Sequence, residues 1–503
     1  VLQFPASARP QPAPAATDTD ASTPLRPWEN RQRHSDASRR TSAPRAAASE
    51  GLIGSLSALL LIAALLLGGG TRNYLFTDLV VQLLASVLLV YGLARLRWND
   101  IEPAAQQLLV LMAMVLAIPL LQVVPLPIAL VQWLPGRAEI NAAREAVGVV
   151  TPAFAPWSLD PNATLASLRA LLPATALLLL GVQLDSLWRS RLVIVVVAIA
   201  LFMVALGVAQ VAQGSASELR FYTPTNKHEA VGLFANRNHY GSMLVVALIC
   251  AFGGAIFHAS VAHRRSRRVL QMLGWLMLGA ILLLGIFLSR SRSAIGLAGL
   301  MSVLMVMLAL VNRKQNRNVF RWLPIIVLVG GLVAVEFGLN RVADRFENLD
   351  GGQRTDVLPG IAALSKRFAG TGTGAGSFPV VYEAYEPDEK LGPKIVNHAH
   401  NDWAEVWVDA GFLAVLVVVM FGRWCWQRAR DLRDDWAGGR PENAQRLVGA
   451  LIILSLSLHS LLDYPLRTTS LSCVFVLGCI LFLPTASSGS RRSGIPAEPQ
   501  FSS

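Results

Sequence analysis

The chain has 503 residues, 53% of them hydrophobic and 15% charged, with a mean hydropathy of +0.47. That balance excludes a soluble globular domain and identifies an integral membrane protein. A net charge of +12 and a pI near 10.1 would raise nucleic acid as a partner in a soluble protein; in a membrane protein basic residues collect on cytoplasmic loops, so no nucleic acid is expected.

Residues 1–50 are rich in Pro, Ala, Ser, Thr and Arg, with no hydrophobic period and no apolar leader core. They are expected to form a disordered cytoplasmic tail and not a signal peptide. From Gly51 the character changes, with apolar spans at 51–70, 78–94, 106–123, 163–185, 192–213, 240–260, 269–289, 293–311, 322–339, 403–422, 446–463 and 468–485. Each is close to the ~20 residues a bilayer core demands. The expected fold class is therefore an all-α integral membrane protein of about twelve transmembrane helices in one domain, 51–485, followed by a cytoplasmic C-terminal tail, 486–503. Cys250, Cys425, Cys473 and Cys479 fall within or beside spans and form neither a disulfide framework nor a CxxC metal site.

With the N-terminal tail inside, every inside segment is basic: Arg95 and Arg97; Arg189 and Arg191; the run from His263 to Arg268; Arg313 to Arg321; Arg423 to Arg446; Arg491 and Arg492. The positive-inside rule thus places both termini in the cytoplasm. Residues 124–162, 214–239, 340–402 and the short Ser289–Ser293 connection are left outside. Loop 340–402 is the longest, and ordering so long a loop has an entropic cost that connectivity alone does not require. Its Thr355–Phe368 segment has apolar residues at helical spacing, expected to lie on the membrane surface, and Gly370–Gly376 is a glycine-rich turn.

Where this loop enters a membrane helix the sequence reads NHAHNDWAEVWVDAGF, Asn397 to Phe412. His398 and His400 precede Asp402 and Glu405, which have the spacing of a helix cap and its reciprocal partner and are read as capping groups before catalytic carboxylates. Ionisable residues at this depth are functional candidates. A divalent metal on His398, His400, Asp402 and Glu405 is the lesser reading, since capping already accounts for the carboxylates. Four arginines break the inside bias: Arg290 and Arg292 in LSRSRS, Arg237 in FANRNHYG and Arg354 in GGQRTD. Beside each stands a bland reading, snorkelling to lipid phosphate for the first pair and a plain surface arginine for the others. Together with His400 they suggest a phosphorylated ligand, because the guanidinium fork matches phosphate oxygens. A soluble NTPase is excluded, as GTGTGAG is not followed by GK[ST].

HAHNDWAEVWVDAGFLAVL resembles the signature of the O-antigen ligase and polymerase superfamily. SRSRSAIGLAGL is similar to its Ser-Arg turn, GLFANRNHYGSML to its Asn-rich helix entry, RTDVLPGIAALSKRFAGTGTGAGSF to its Arg-to-glycine stretch and HSLLDYPLRTTS to its final helix pair. The resemblance implies a C-type glycosyltransferase (GT-C) fold, a location in the bacterial inner membrane, and a donor made of glycan on polyprenyl (undecaprenyl) pyrophosphate. It implies His400 as the essential histidine, and Arg292, Arg354 and Arg237 as pyrophosphate-binding arginines. The Ser-Arg turn is doubled here, so Arg290 competes with Arg292; His398 and Asn401 are supporting candidates. No cofactor is expected.

A polyprenyl pyrophosphate is a good leaving group that needs cations, and an acceptor hydroxyl needs a base, a role suited to neutral histidine. The expected activity is a metal-independent, inverting glycan transfer, with His400 as base, onto a lipid A-core acceptor in lipopolysaccharide synthesis. The alternatives are a glycan acceptor (a polymerase), a protein O-oligosaccharyltransferase and, from another class, a twelve-helix secondary transporter. Against the last, the spans show no two-half repeat, and Glu336 and Asp409 are the main mid-helix ionisable residues.

Overall fold

The computed structural model describes residues 50–71, 76–223, 226–261, 265–311, 353–386, 395–436 and 442–484, and side chains 257–268, 272, 309–311 and 353–358 lie outside that description. The chain forms two compact units, Val1–Leu52 and Ile53–Ser503. Of the first, only residues 50–52 are described, and they are helical.

In chain order the α-helices are α1 (Glu50–Leu67), α2 (Phe76–Arg95), α3 (Pro103–Val123), α4 (Ile128–Val131), α5 (Arg137–Ala146), α6 (Pro161–Ala170), α7 (Leu172–Gly181), α8 (Ser186–Gln213), α9 (Arg237–Val261) and α10 (Arg265–Leu288). There follow α11 (Arg292–Val311), α12 (Gln353–Arg367), α13 (Phe378–Glu383), α14 (Asp402–Trp436), α15 (Glu442–His459) and α16 (Thr469–Phe482). Two short strands, β1 (Pro125–Pro127) and β2 (Phe154–Pro156), pair antiparallel with Leu126 opposite Ala155. Acidic or hydroxyl caps fix several helix starts: Glu102 accepts from the Ala104 amide at 2.9 Å, Asp160 from Ala163 at 3.0 Å and Asp185 from Trp188 at 2.8 Å.

Among the described residues eight helical segments are long and apolar enough to cross a membrane: α1, α2, α3, α6 with α7, α8, α9, α10 and α14; α11 and α16 are shorter apolar helices. The expected span 322–339 lies outside the described residues. The expected span 446–463 falls on α15, which ends earlier, at His459, as Leu462 and Asp463 turn back to its carbonyl at 2.8 and 2.9 Å and Pro465 follows. The apolar window of α9 is 83% buried against 22% for α2, so α9 is a central helix, and it packs on α8, α10, α11 and α15. At the α15–α16 crossing a Cβ on Gly449 would lie 2.5 Å from the Gly478 carbonyl oxygen, so only glycine lets these backbones approach.

The helices alternate in direction, which gathers particular termini at one end of the bundle. Ser470 N donates to Gly68 O at 3.0 Å, Thr469 Oγ1 to Asp78 at 2.9 Å and Ala235 N to Gly69 O at 3.0 Å, joining the end of α1 to the starts of α2, α9 and α16. At the other end Arg446 pairs with Asp435 at 2.6 Å, and Arg189 donates to Leu483 O at 3.2 Å. The loop segments pack over the first end as a small second core of Ile361, Leu364, Phe368, Phe378, Val381, Tyr382, Ala399 and Val408. The Thr355–Phe368 helix was expected on the membrane surface; its described apolar side chains face this core instead, because the loop offers them its own aromatic partners.

Candidate functional site

The site is built around a break in α14. Gly411 has φ 54 and ψ −133, a conformation open to glycine, and it interrupts the helix nine residues after its start at Asp402. An interrupted helix leaves carbonyls without partners, which is tolerable at membrane depth only where protein covers them. The glycine turn does this: Thr373 N donates to Val408 O at 2.9 Å, Gly374 N to Asp409 O at 3.0 Å, and Phe412 N to Gly370 O at 3.0 Å. Gln122 at the end of α3 adds a clamp, donating to Asp409 O at 2.9 Å and accepting from Ala375 N at 2.8 Å. Arg137 braces the turn from the first loop, donating to Gly372 O at 3.0 Å and to Trp157 O at 2.8 Å with its guanidinium over the Phe368 ring. Burial pushes Arg137 down to about 10, against the pull of Tyr385.

The first turns of α14 present three buried carboxylates, Asp402, Glu405 and Asp409, to one cation. Arg467, in the loop before α16, lies 3.4 Å from Asp402, 3.5 Å from Glu405 and 3.3 Å from Asp409. Burial opposes its charge, but Glu405, Asp409 and Asp402 more than offset this and hold the guanidinium above its ordinary range. The helix cap is Asn401, whose Oδ1 accepts from Ala404 N at 3.1 Å, and not Asp402. Asp402 turns inward to accept from Ser460 Oγ at 2.9 Å and Leu466 N at 3.2 Å, because Arg467 draws it there. Glu405 accepts from Ala399 N at 2.9 Å and meets His398 Nδ1 at 2.9 Å.

His400 has φ 50, a left-handed turn rare outside glycine, between Ala399, anchored on Glu405, and the Asn401 cap. Its Nδ1 lies 3.4 Å from Asp463 Oδ1. Asp463 is fully buried and accepts from Asn238 Nδ2 at 2.5 Å and from Tyr464 N at 3.1 Å. The Tyr464 ring gathers three imidazoles, His398 at 4.3 Å, His239 at 5.0 Å and His400 at 5.3 Å between centroids.

A cavity of about 1660 Å³ opens over these groups. One part is polar, with Arg237, Asn238, His398, His400, Tyr464 and Arg467; the other is apolar, with Leu79, Leu108, Leu111, Val115, Phe421 and Phe475. Of the residues singled out from the sequence, His400, His398 and Arg237 thus line one cavity, and Arg237 pairs with Glu229 at 2.7 Å. Asn401 acts as the cap and donates to Leu461 O at 3.1 Å. Arg290 is exposed, in a left-handed turn at φ 50, and Arg292 is exposed at the first position of α11. Arg354 lies in α12, with its side chain outside the described residues. Among the described residues no three His, Cys, Asp or Glu side chains are grouped to hold a metal ion.

Arg467, Asp463, Asn238 and Arg137 were not singled out from the sequence. Arg467 and Arg137 carried the same signal as Arg292, a cation on the side where the inside bias does not place one. Asp463 had been counted within a helix. Residues 276–419 match the family model described as O-antigen ligase. No curated protein matches the chain.

Proposed function

We propose, from the premise that this chain carries an O-antigen ligase family domain over residues 276–419, that it moves a glycan from polyprenyl pyrophosphate to an acceptor hydroxyl at the outer face of a bacterial inner membrane. The observation that carries this reading is the two-part cavity, charged and histidine-bearing at one end, where Arg237 and Arg467 stand with their paired carboxylates, and apolar along α2, α3 and α14. A charged head on a long hydrocarbon tail has the same division.

In this reading the prenyl chain lies along Leu108, Leu111, Val115 and Phe421, and its pyrophosphate meets arginines: Arg237 in the cavity wall, with Arg292 and Arg354 assigned from their motifs. Asp463 holds the His400 tautomer with Nδ1 protonated, leaving Nε2 as base. The acceptor proton passes to Nε2, the acceptor oxygen bonds to the anomeric carbon, and the bond from that carbon to pyrophosphate oxygen breaks. The leaving group departs as polyprenyl pyrophosphate, and single displacement inverts the anomeric centre. This chain's residues supply a base and cations, and the proposed step runs without a metal.

The acceptor is taken to be lipid A-core. The test is a reconstituted assay with purified protein, undecaprenyl-pyrophosphate glycan, and lipid A-core or the undecaprenyl-linked repeat unit as acceptor. Transfer to lipid A-core supports a ligase, chain growth on the repeat unit a polymerase. No transfer to either, together with substrate counterflow in vesicles, would replace the enzyme reading with a transporter.

A further inference from the structure

We propose that Ser291 and Asn238 are positioning residues that set the proton affinity of the site histidine through Asp463, an inference that rests on the reading of His400 as base. Ser291 belongs to the tight turn between α10 and α11 and is fully buried. Its Oγ lies 2.7 Å from Asn238 Oδ1, Asn238 Nδ2 lies 2.5 Å from Asp463 Oδ2, and Asp463 Oδ1 lies 3.4 Å from His400 Nδ1.

The carboxylate fixes the direction of every proton in this chain. An ionised Asp463 only accepts, so the Asn238 amide must turn its NH₂ toward it. Asn238 Oδ1 then faces Ser291, and Ser291 must donate its single hydroxyl proton. The turn that carries the arginines therefore also braces, from behind, an amide some fifty residues earlier in the sequence, at the mouth of α9. Without the Ser291 donor the amide oxygen loses its partner, and the Asn238 NH₂ is less polarised and less firmly held against Asp463. The carboxylate then has a weaker donor, becomes the stronger partner for an imidazolium, and His400 holds its proton more tightly.

The other groups around His400 are Tyr464 on the same loop as Asp463, His398 on its own loop, His239 and Arg237 from α9, His459 at the end of α15, and Asp402 and Glu405, both paired with Arg467. His459 is joined to Ser291 through Ser293, whose Oγ lies 3.1 Å from both Ser291 Oγ and His459 Nε2, and Asn238→Ala, which leaves that link in place, controls for it. Ser291 Oγ also accepts from Ala294 N at 3.3 Å as a helix cap and lies 3.1 Å from Ser293 Oγ. The test must separate this from the relay. Ser291→Gly caps nearly as well but has no hydroxyl, whereas Ser291→Thr keeps both cap and donor.

The readout is the pH dependence of His400 modification by diethyl pyrocarbonate, followed by peptide mass spectrometry on the full-length protein in detergent. The reagent takes only neutral imidazole, so the midpoint reports proton affinity without any donor glycan. The midpoint should move to higher pH by about half a unit or more in Ser291→Gly, stay in place in Ser291→Thr, and move the same way in Asn238→Ala. In the transfer assay Ser291→Gly should lower kcat about tenfold with donor KM unchanged, and the acid limb of kcat should move with the midpoint. A wild-type midpoint in Ser291→Gly, or an equal shift in Ser291→Thr, overturns the relay; if Ser291→Gly does not accumulate, Asn238→Ala decides alone. Failure of His400→Ala to stop transfer strikes the base assignment instead, and the two failures are read in separate experiments.

Discussion

Gly411 and Gly370 meet across the break in α14: a Cβ on Gly411 would lie 2.3 Å from the Gly370 carbonyl oxygen, the atom that accepts from the Phe412 amide. The broken helix and the glycine turn are therefore one unit, and everything the first turns of α14 present to the cavity depends on it.

Gly411→Ala should be among the most damaging single changes. Left-handed backbone alone has a cost of about 1–2 kcal/mol for an L side chain, and the contact with Gly370 adds to it. Thermal melting in detergent should show a marked fall. Gly299→Ala on α11, where nothing lies within 4 Å of the added carbon, should leave melting unchanged or slightly raised. Equal melting of the two variants would show that the break is not held as described.

Arg467→Met leaves three buried carboxylates facing one another. Losing one partner from a buried ionic cluster typically has a cost of about 3–5 kcal/mol, so folded protein should fall sharply. Arg467→Lys should recover only part of it, because one ammonium cannot reach Asp402, Glu405 and Asp409 with a planar fork. Normal melting of Arg467→Met would remove Arg467 from the frame of the site.

His400→Ala should lower transfer by about 10²–10⁴ while the protein inserts and melts normally. His398→Ala loses a hydrogen bond to Glu405 and a face of Tyr464, and should remain active at lowered stability. Activity in His400→Ala with none in His398→Ala would put the base two residues away.

Arg292 and Arg354 should tolerate lysine little better than alanine if each grips pyrophosphate with two parallel hydrogen bonds. Arg290 should tolerate both. Arg237→Lys tests a different point, since lysine can keep the pair with Glu229; steady-state kcat and donor KM of each variant separate a gripping arginine from a diffuse positive charge. Full activity in the lysine variants of Arg292 and Arg354 would reduce them to the latter.

The two ends of the bundle make a topological prediction. A cysteine at Ala384, in the long loop, should react with an impermeant maleimide in cells lacking native cysteines in this protein, and one at Arg433, at the far end of α14, should not. Labelling at both or neither would remove the outer-face placement of the site.

The helices were legible because their apolar runs are long, and α14 because its polar entry changes abruptly at Trp403. The lining of the cavity was legible where a residue type is rare for its place, as with His400 and Arg237. It was hidden where the signal needs three dimensions. Asp463 reads as the last turn of a span until α15 is seen to stop at His459, and Asp402 has the spacing of a cap although Asn401 does that work. Arg467 stands alone as a cation between two apolar spans, but its three carboxylates come from a helix that precedes it by more than thirty residues, and no local pattern joins them.

The Gln122 clamp has a mechanical counterpart. Trp424 Nε1 donates to Ala104 O at 2.9 Å, so α3 and α14 are fastened at both ends of α3, roughly 27 Å apart at 1.5 Å per residue. That is close to the thickness of a membrane core. A beam pinned at both supports bows at midspan and does not swing, and the midspan here is the apolar wall of the cavity, Leu111 and Val115 on one side and Val417 and Phe421 on the other. The slot between the two helices is thus held at both ends, and a guest between them meets walls that can give only at their middle.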